Sequence, residues 1–138
     1  MITLLTGKKG SGKTKHLIRL AHDAVEKTKG SVVSIEKGDT LTFDIDHRVR
    51  LVNIMEYAID DFTGLYGFIA GLLAGNYDIT DILVDSTLRI GGNSLELFAQ
   101  FIKKIAVLAG NAHVDLTFSV SVDHDDIPAS ISGLVTNI

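Results

Sequence analysis

Gly7-Lys8-Lys9-Gly10-Ser11-Gly12-Lys13-Thr14 is the stretch whose reading decides the fold. It matches Gly-x-x-x-x-Gly-Lys-Ser/Thr at every fixed position. Glycines let the backbone curl so that successive N–H groups point inward, where they can meet phosphate oxygens. The context fits as well. Ile2-Thr3-Leu4-Leu5-Thr6, apolar and β-branched, predicts a buried strand before the loop. An amphipathic helix follows from about Gly12 to Lys29, with Leu17, Leu20, Ala21, Ala24 and Val25 on one face and Gly30 as its stop. The helix N-terminus adds partial positive charge beside the loop. In such a loop Gly7, Lys8, Lys9, Gly10, Ser11 and Gly12 cradle phosphates. Lys13 reaches the β/γ-phosphates, and the Thr14 hydroxyl ligates Mg²⁺. ATP with Mg²⁺ is the expected ligand pair.

Beyond Gly30, Ser31–Ile35 predicts a second strand and Glu36-Lys37-Gly38-Asp39 a turn. Leu41–Asp46 alternates as an edge strand or hairpin arm would, and Val49–Ile54 predicts a further strand. Phe62–Ala74 is a very apolar helix carrying three glycines, which weaken the case for regularity. Ile82-Leu83-Val84 is a short apolar run ending in Asp85. Ser94 caps the next helix, whose buried face is Leu97, Phe98, Phe101, Ile102, Ile105 and Leu108, and Gly110-Asn111 stops it. Val114–Val122 is the last long strand, and Pro128 opens a short terminal helix. The Tyr and Phe residues read as core. Strands alternating with helices predict one α/β domain over residues 1–138, with a mostly parallel sheet covered by helices on both faces.

Composition narrows the function classes. The 138 residues suffice for one core, and 46% of them are apolar. No apolar run reaches the length of a membrane span, and the first residues lack a signal-peptide pattern, so a cytoplasmic location and no membrane partner are expected. With no Cys there is no disulfide, thiolate metal site or Cys nucleophile. Residues 1–50 carry 10 of the 13 basic residues, as a phosphate site at this end would require. The net charge of −4 argues against broad nucleic-acid binding.

Ligands of parallel sheets bind at the carboxyl ends of the strands. That rule picks out Gly7–Thr14, Glu36, Asp85 and Ser121–Asp123 as one rim. Phosphoryl transfer needs a carboxylate to hold Mg²⁺ against the loop Thr, and Asp85 at the end of its apolar strand suits that role. The bland alternative is an Asp capping a turn.

Ile82-Leu83-Val84-Asp85-Ser86 resembles the second nucleotide motif of the RecA-like ATPases within the P-loop NTPases, where an apolar strand ends in Asp-Ser. The resemblance implies a catalytic carboxylate at the end of the strand after the first helix, which is Glu36 in Val32-Val33-Ser34-Ile35-Glu36. It also implies a polar residue, often Gln, near the end of the following strand. The matching stretch, Ser119-Val120-Ser121-Val122-Asp123, contains no Gln. The alternative for Glu36 is a solvated turn residue. The chain is also similar to short ATP-binding proteins of Gram-positive bacteria sometimes labelled PilT-like, although no second domain of the motor kind is evident. In the dimerising partition ATPases a first loop lysine crosses to the partner's nucleotide. Lys8 stands at that position, but Lys9 replaces a required glycine.

Arg89 is the arginine expected nearest the site, and Asp123–Asp126 with His124 reads as a solvated acidic loop rather than a metal cluster. Three functions remain open: an ATP-binding protein or slow ATPase that acts as a partner-activated switch, a small-molecule or nucleotide kinase, and a non-hydrolysing nucleotide-binding module. A protein partner or a homo-oligomer is compatible with the first. A GTPase is not expected, because Asn111-Ala112-His113-Val114-Asp115 lacks the guanine-reading Lys and spacing, and Asp85 is not followed by a switch Gly.

Overall fold

In the computed structural model, which describes residues 1–39 and 44–138, six parallel strands form one sheet in the order β3-β2-β4-β5-β1-β6. The strands are β1 (Ile2–Thr6), β2 (Ser31–Glu36), β3 (Val49–Asn53), β4 (Ile79–Val84), β5 (Asp115–Val120) and the two-residue β6 (Thr136–Asn137). The helices are α1 (Lys13–Lys27), α2 (Phe62–Gly75), α3 (Thr87–Gly91) and α4 (Leu95–Ala112). The single α/β domain with helices on both faces is as expected, and the sheet is parallel throughout.

The two faces divide by side-chain alternation along the strands. Leu5, Val32, Val49 and Leu83 pack with Leu17 and Ala21 of α1. Leu4, Val33, Ile35, Ile82, Val84, Leu116, Phe118 and Val120 point the other way, onto α2 and α4. The second face holds the larger core. Phe62, Phe98, Phe101 and Phe118 form a connected ring cluster there, with centroids 5.2 to 5.9 Å apart. Gly91 fits against it closely, since a Cβ at that position would lie 2.2 Å from the Phe62 ring. Phe118 has no exposed surface and meets Phe101 edge-on. Phe118→Ala should therefore cost about 3–5 kcal/mol, a large share of the roughly 5–15 kcal/mol that holds a domain folded. Urea denaturation checks this, and a loss below about 1 kcal/mol would mean that the cluster closes over the missing ring.

Two helix ends differ from the sequence expectation. Helix α1 stops at Lys27 rather than running to Lys29. Thr28 turns extended, and its hydroxyl accepts from Gly30 N–H at 3.0 Å and bonds the Thr80 hydroxyl at 2.7 Å. Such side-chain bonds compete with helix propagation. Gly30 is needed for another reason, because a Cβ there would sit 2.2 Å from the Asp78 carbonyl. Helix α4 passes through Gly110-Asn111 and ends at His113, which takes a left-handed conformation and donates its N–H to Ala109 O. Its N-cap is Ser94, accepting from Leu97 N–H, as expected. Helix α2 is continuous despite its glycines, with Leu65, Ile69 and Leu73 buried.

Other expectations were partly displaced. Strand β4 begins at Ile79 and so includes the polar Thr80 and Asp81. Pro128 opens only a short 3₁₀ turn, and β6 had no sequence signal. Of the expected strand over 41–46, residues 41–43 lie outside the described residues, and Asp44–Asp46 form a turn. That turn is tied to α1: Asp46 N–H donates to His22 Nε2 at 2.9 Å, and Arg48 bridges Asp46 and Glu26. The Arg48 guanidinium holds the Asp46 carboxyl well below the usual carboxylate range. Burial pushes the Asp81 carboxyl up, against a hydrogen bond from Thr80 that lowers it, and nearby Asp115 adds to the rise. Of the tyrosines, Tyr57 and Tyr77 are exposed, Tyr77 at 96%, while Tyr66 is half-buried against the larger core. Among the described residues no helix is long and apolar enough to cross a membrane.

Candidate functional site

A parallel sheet places every strand's carboxyl end on one edge, and the loop after β1 leaves from that edge. Gly7 N–H donates to Val122 O at 2.9 Å, which ties the loop entrance to the chain leaving β5. Gly7 is held at φ +144°, a conformation that L side chains rarely adopt, and a Cβ there would also crowd the Ser11 side chain. Gly12 caps α1 at φ +87°, a left-handed conformation that glycine adopts without strain.

Next to the loop is a cleft of about 840 Å³. Lys9, Gly10, Gly12, Lys13, Thr14 and Lys15 line it from the loop and α1, Asp85, Ser86 and Arg89 from the end of β4 and α3, and Ser119 and Ser121 from β5. Its charged lining is thus four cations and one carboxylate among the described residues. Lys13 Nζ donates to Lys8 O at 2.8 Å and Ser11 Oγ at 3.3 Å, so the ammonium is held across the loop. Partial loss of water lowers its pKa, while the Asp85 charge pulls it back up.

Thr14 and Asp85, 71 residues apart in sequence, meet in this cleft. The Thr14 hydroxyl donates to Asp85 Oδ2 at 3.2 Å, and the buried Ser119 hydroxyl donates to Asp85 Oδ1 at 2.8 Å. The sequence points to Ser119 only as the first residue of the Ser119–Asp123 stretch, with no role of its own. Its signal is weak, since Asp115 and Thr117 of the same strand are also polar.

The other expected residues are placed as follows. Glu36 ends β2 and is 2% exposed, which excludes the solvated-turn alternative. The register pairs Ile35 with Val84, so Glu36 and Asp85 succeed each other's neighbours at the ends of adjacent strands. Glu36 is not among the described residues that line the cleft. Lys8 points to Asp123, Nζ to Oδ2 3.7 Å, as an exposed pair of the kind that contributes little. Arg89 does reach the cleft. His124–Asp126 form an exposed 3₁₀ turn, and no group of three or more His, Cys, Asp or Glu suited to a metal occurs among the described residues. No protein-family model matches the chain, and no curated protein matches it.

Proposed function

We propose that this chain is a P-loop nucleotide-binding protein with a RecA-like core, which binds ATP with Mg²⁺ and hydrolyses it slowly unless a protein partner or a second copy acts on it. The observation that carries this reading is the meeting of Thr14 and Asp85 at the mouth of the glycine loop. The cationic lining of the cleft supports a polyanionic ligand. Asp85-Ser86 directly after β4 and Glu36 at the end of β2 support the RecA-like assignment.

The donor set suits Mg²⁺. A hydroxyl and a carboxylate are hard oxygen ligands, and this ion is commonly bound by one or two carboxylates together with phosphate oxygens. Thr14 and Asp85 would hold it, and when bound it neutralises charge on the phosphates. The chain's own groups do the rest. Loop N–H groups and the Lys13 ammonium bind and orient the phosphates. Glu36, as general base, takes a proton from the attacking water.

Titration calorimetry with ATP, in Mg²⁺ and in EDTA, tests the assignment. Mg²⁺-dependent binding is expected, and no binding in either condition would overturn it. Turnover by the purified chain is expected below about 1 s⁻¹, the low end of ordinary enzymes. Arg89 is the one arginine lining the cleft among the described residues, and an arginine supplied in trans gives stimulated hydrolases about 10³–10⁵ in rate. A phosphate-release assay checks this, and faster turnover would remove the need for a partner. The position of Glu36 outside the described cleft lining favours one second reading, a non-hydrolysing nucleotide-binding module.

A further inference from the structure

We infer that Ser119 is a positioning residue that fixes the Asp85 carboxylate for a divalent cation, an inference that rests on the nucleotide-binding reading above. Ser119 is 1% exposed and lies on β5, between β1 and β4. The register pairs Leu5 with Ser119, and Val84 with the preceding Phe118, so the Ser119 side chain stands beside Asp85 on the face covered by α1.

The hydrogen bonding allows one arrangement. Ser86 N–H donates to Ser119 Oγ at 2.6 Å. An amide nitrogen cannot accept, so this contact uses the hydroxyl's oxygen and leaves its proton for Asp85 Oδ1, 2.8 Å away. Ser86 is held at φ 52° and ψ 53°, a left-handed conformation that few non-glycine residues adopt. That conformation sets the amide against Ser119. A backbone donor therefore sets the Ser119 hydroxyl, and the hydroxyl sets the carboxylate.

An aspartate carboxylate otherwise turns readily about its last torsion. With Oδ1 occupied by Ser119, Oδ2 faces Thr14, the other residue proposed to hold the cation. Partners that orient a metal ligand from behind commonly contribute about 10- to 100-fold in metal affinity.

The test measures ATP binding to the full chain by calorimetry across a Mg²⁺ titration and separately in EDTA. In Ser119→Ala the Mg²⁺ concentration for half-maximal binding should rise about tenfold or more, while affinity in EDTA stays at the wild-type value. Ser119→Thr should restore the wild-type midpoint, and Ser119→Val, of the same shape without the hydroxyl, should not. The Thr and Val pair carries the comparison if the Ala variant does not fold, as judged by circular dichroism. Ser34→Ala is the control. It removes an equally buried hydroxyl, on β2, that has no hydrogen-bond partner among the described residues. It should leave the Mg²⁺ midpoint unchanged. A wild-type midpoint in folded Ser119→Ala, or equal losses with and without Mg²⁺, overturns the positioning role while leaving nucleotide binding intact. Absence of Mg²⁺-dependent binding in the wild type overturns both.

Discussion

Lys13→Ala is expected to lower ATP affinity by about 10- to 150-fold, the equivalent of the roughly 1.5–3 kcal/mol carried by a hydrogen bond to a charged group. The side chain is held across the loop by Lys8 O and Ser11 Oγ, within the cleft it shares with Asp85. Its ammonium is partly stripped of water there, which strengthens its attraction for a phosphate oxygen. Alanine at the first position of α1 is a good helix former, so the change should spare the fold. Calorimetry in Mg²⁺ gives the answer directly. Equal affinities in wild type and variant would remove the loop from the binding site and the nucleotide assignment with it.

Glu36→Gln should keep ATP binding and lower hydrolysis by about 10²-fold, the ordinary weight of a general base. Glutamine preserves the shape of the buried side chain at the end of β2 and removes its ability to take a proton. Asp85→Asn should behave differently. It sits against Thr14 and should weaken Mg²⁺-dependent binding as well as rate. Single-turnover hydrolysis on both variants, with binding measured in parallel, separates the two roles. If Glu36→Gln hydrolyses ATP as fast as wild type, Glu36 is a structural strand-end residue. If neither wild type nor variant hydrolyses ATP, the non-hydrolysing module is the better reading.

The local pieces are legible along the chain. The glycines of Gly7–Gly12 specify the loop because the positive φ angles they take there are set within a few residues. Hydrophobic spacing specifies α1 and α4, an apolar run specifies α2, and alternation of strands with helices specifies the α/β class. Those signals are periodic and short-range, so they can be read without knowing what lies alongside. The strand order, which inserts β5 between β1 and β4 and so brings Ser119 to Asp85, emerges only when the chain folds. The tertiary fold also leaves Glu36 buried rather than solvated, and it ends α1 at Thr28 rather than at the glycine nearby. These outcomes depend on partners far away in sequence, as with Thr80 for Thr28 and Ile35 O for the Asp85 N–H. Pairing between distant strands follows from which faces bury each other across the whole sheet, and no window of neighbouring residues contains that information.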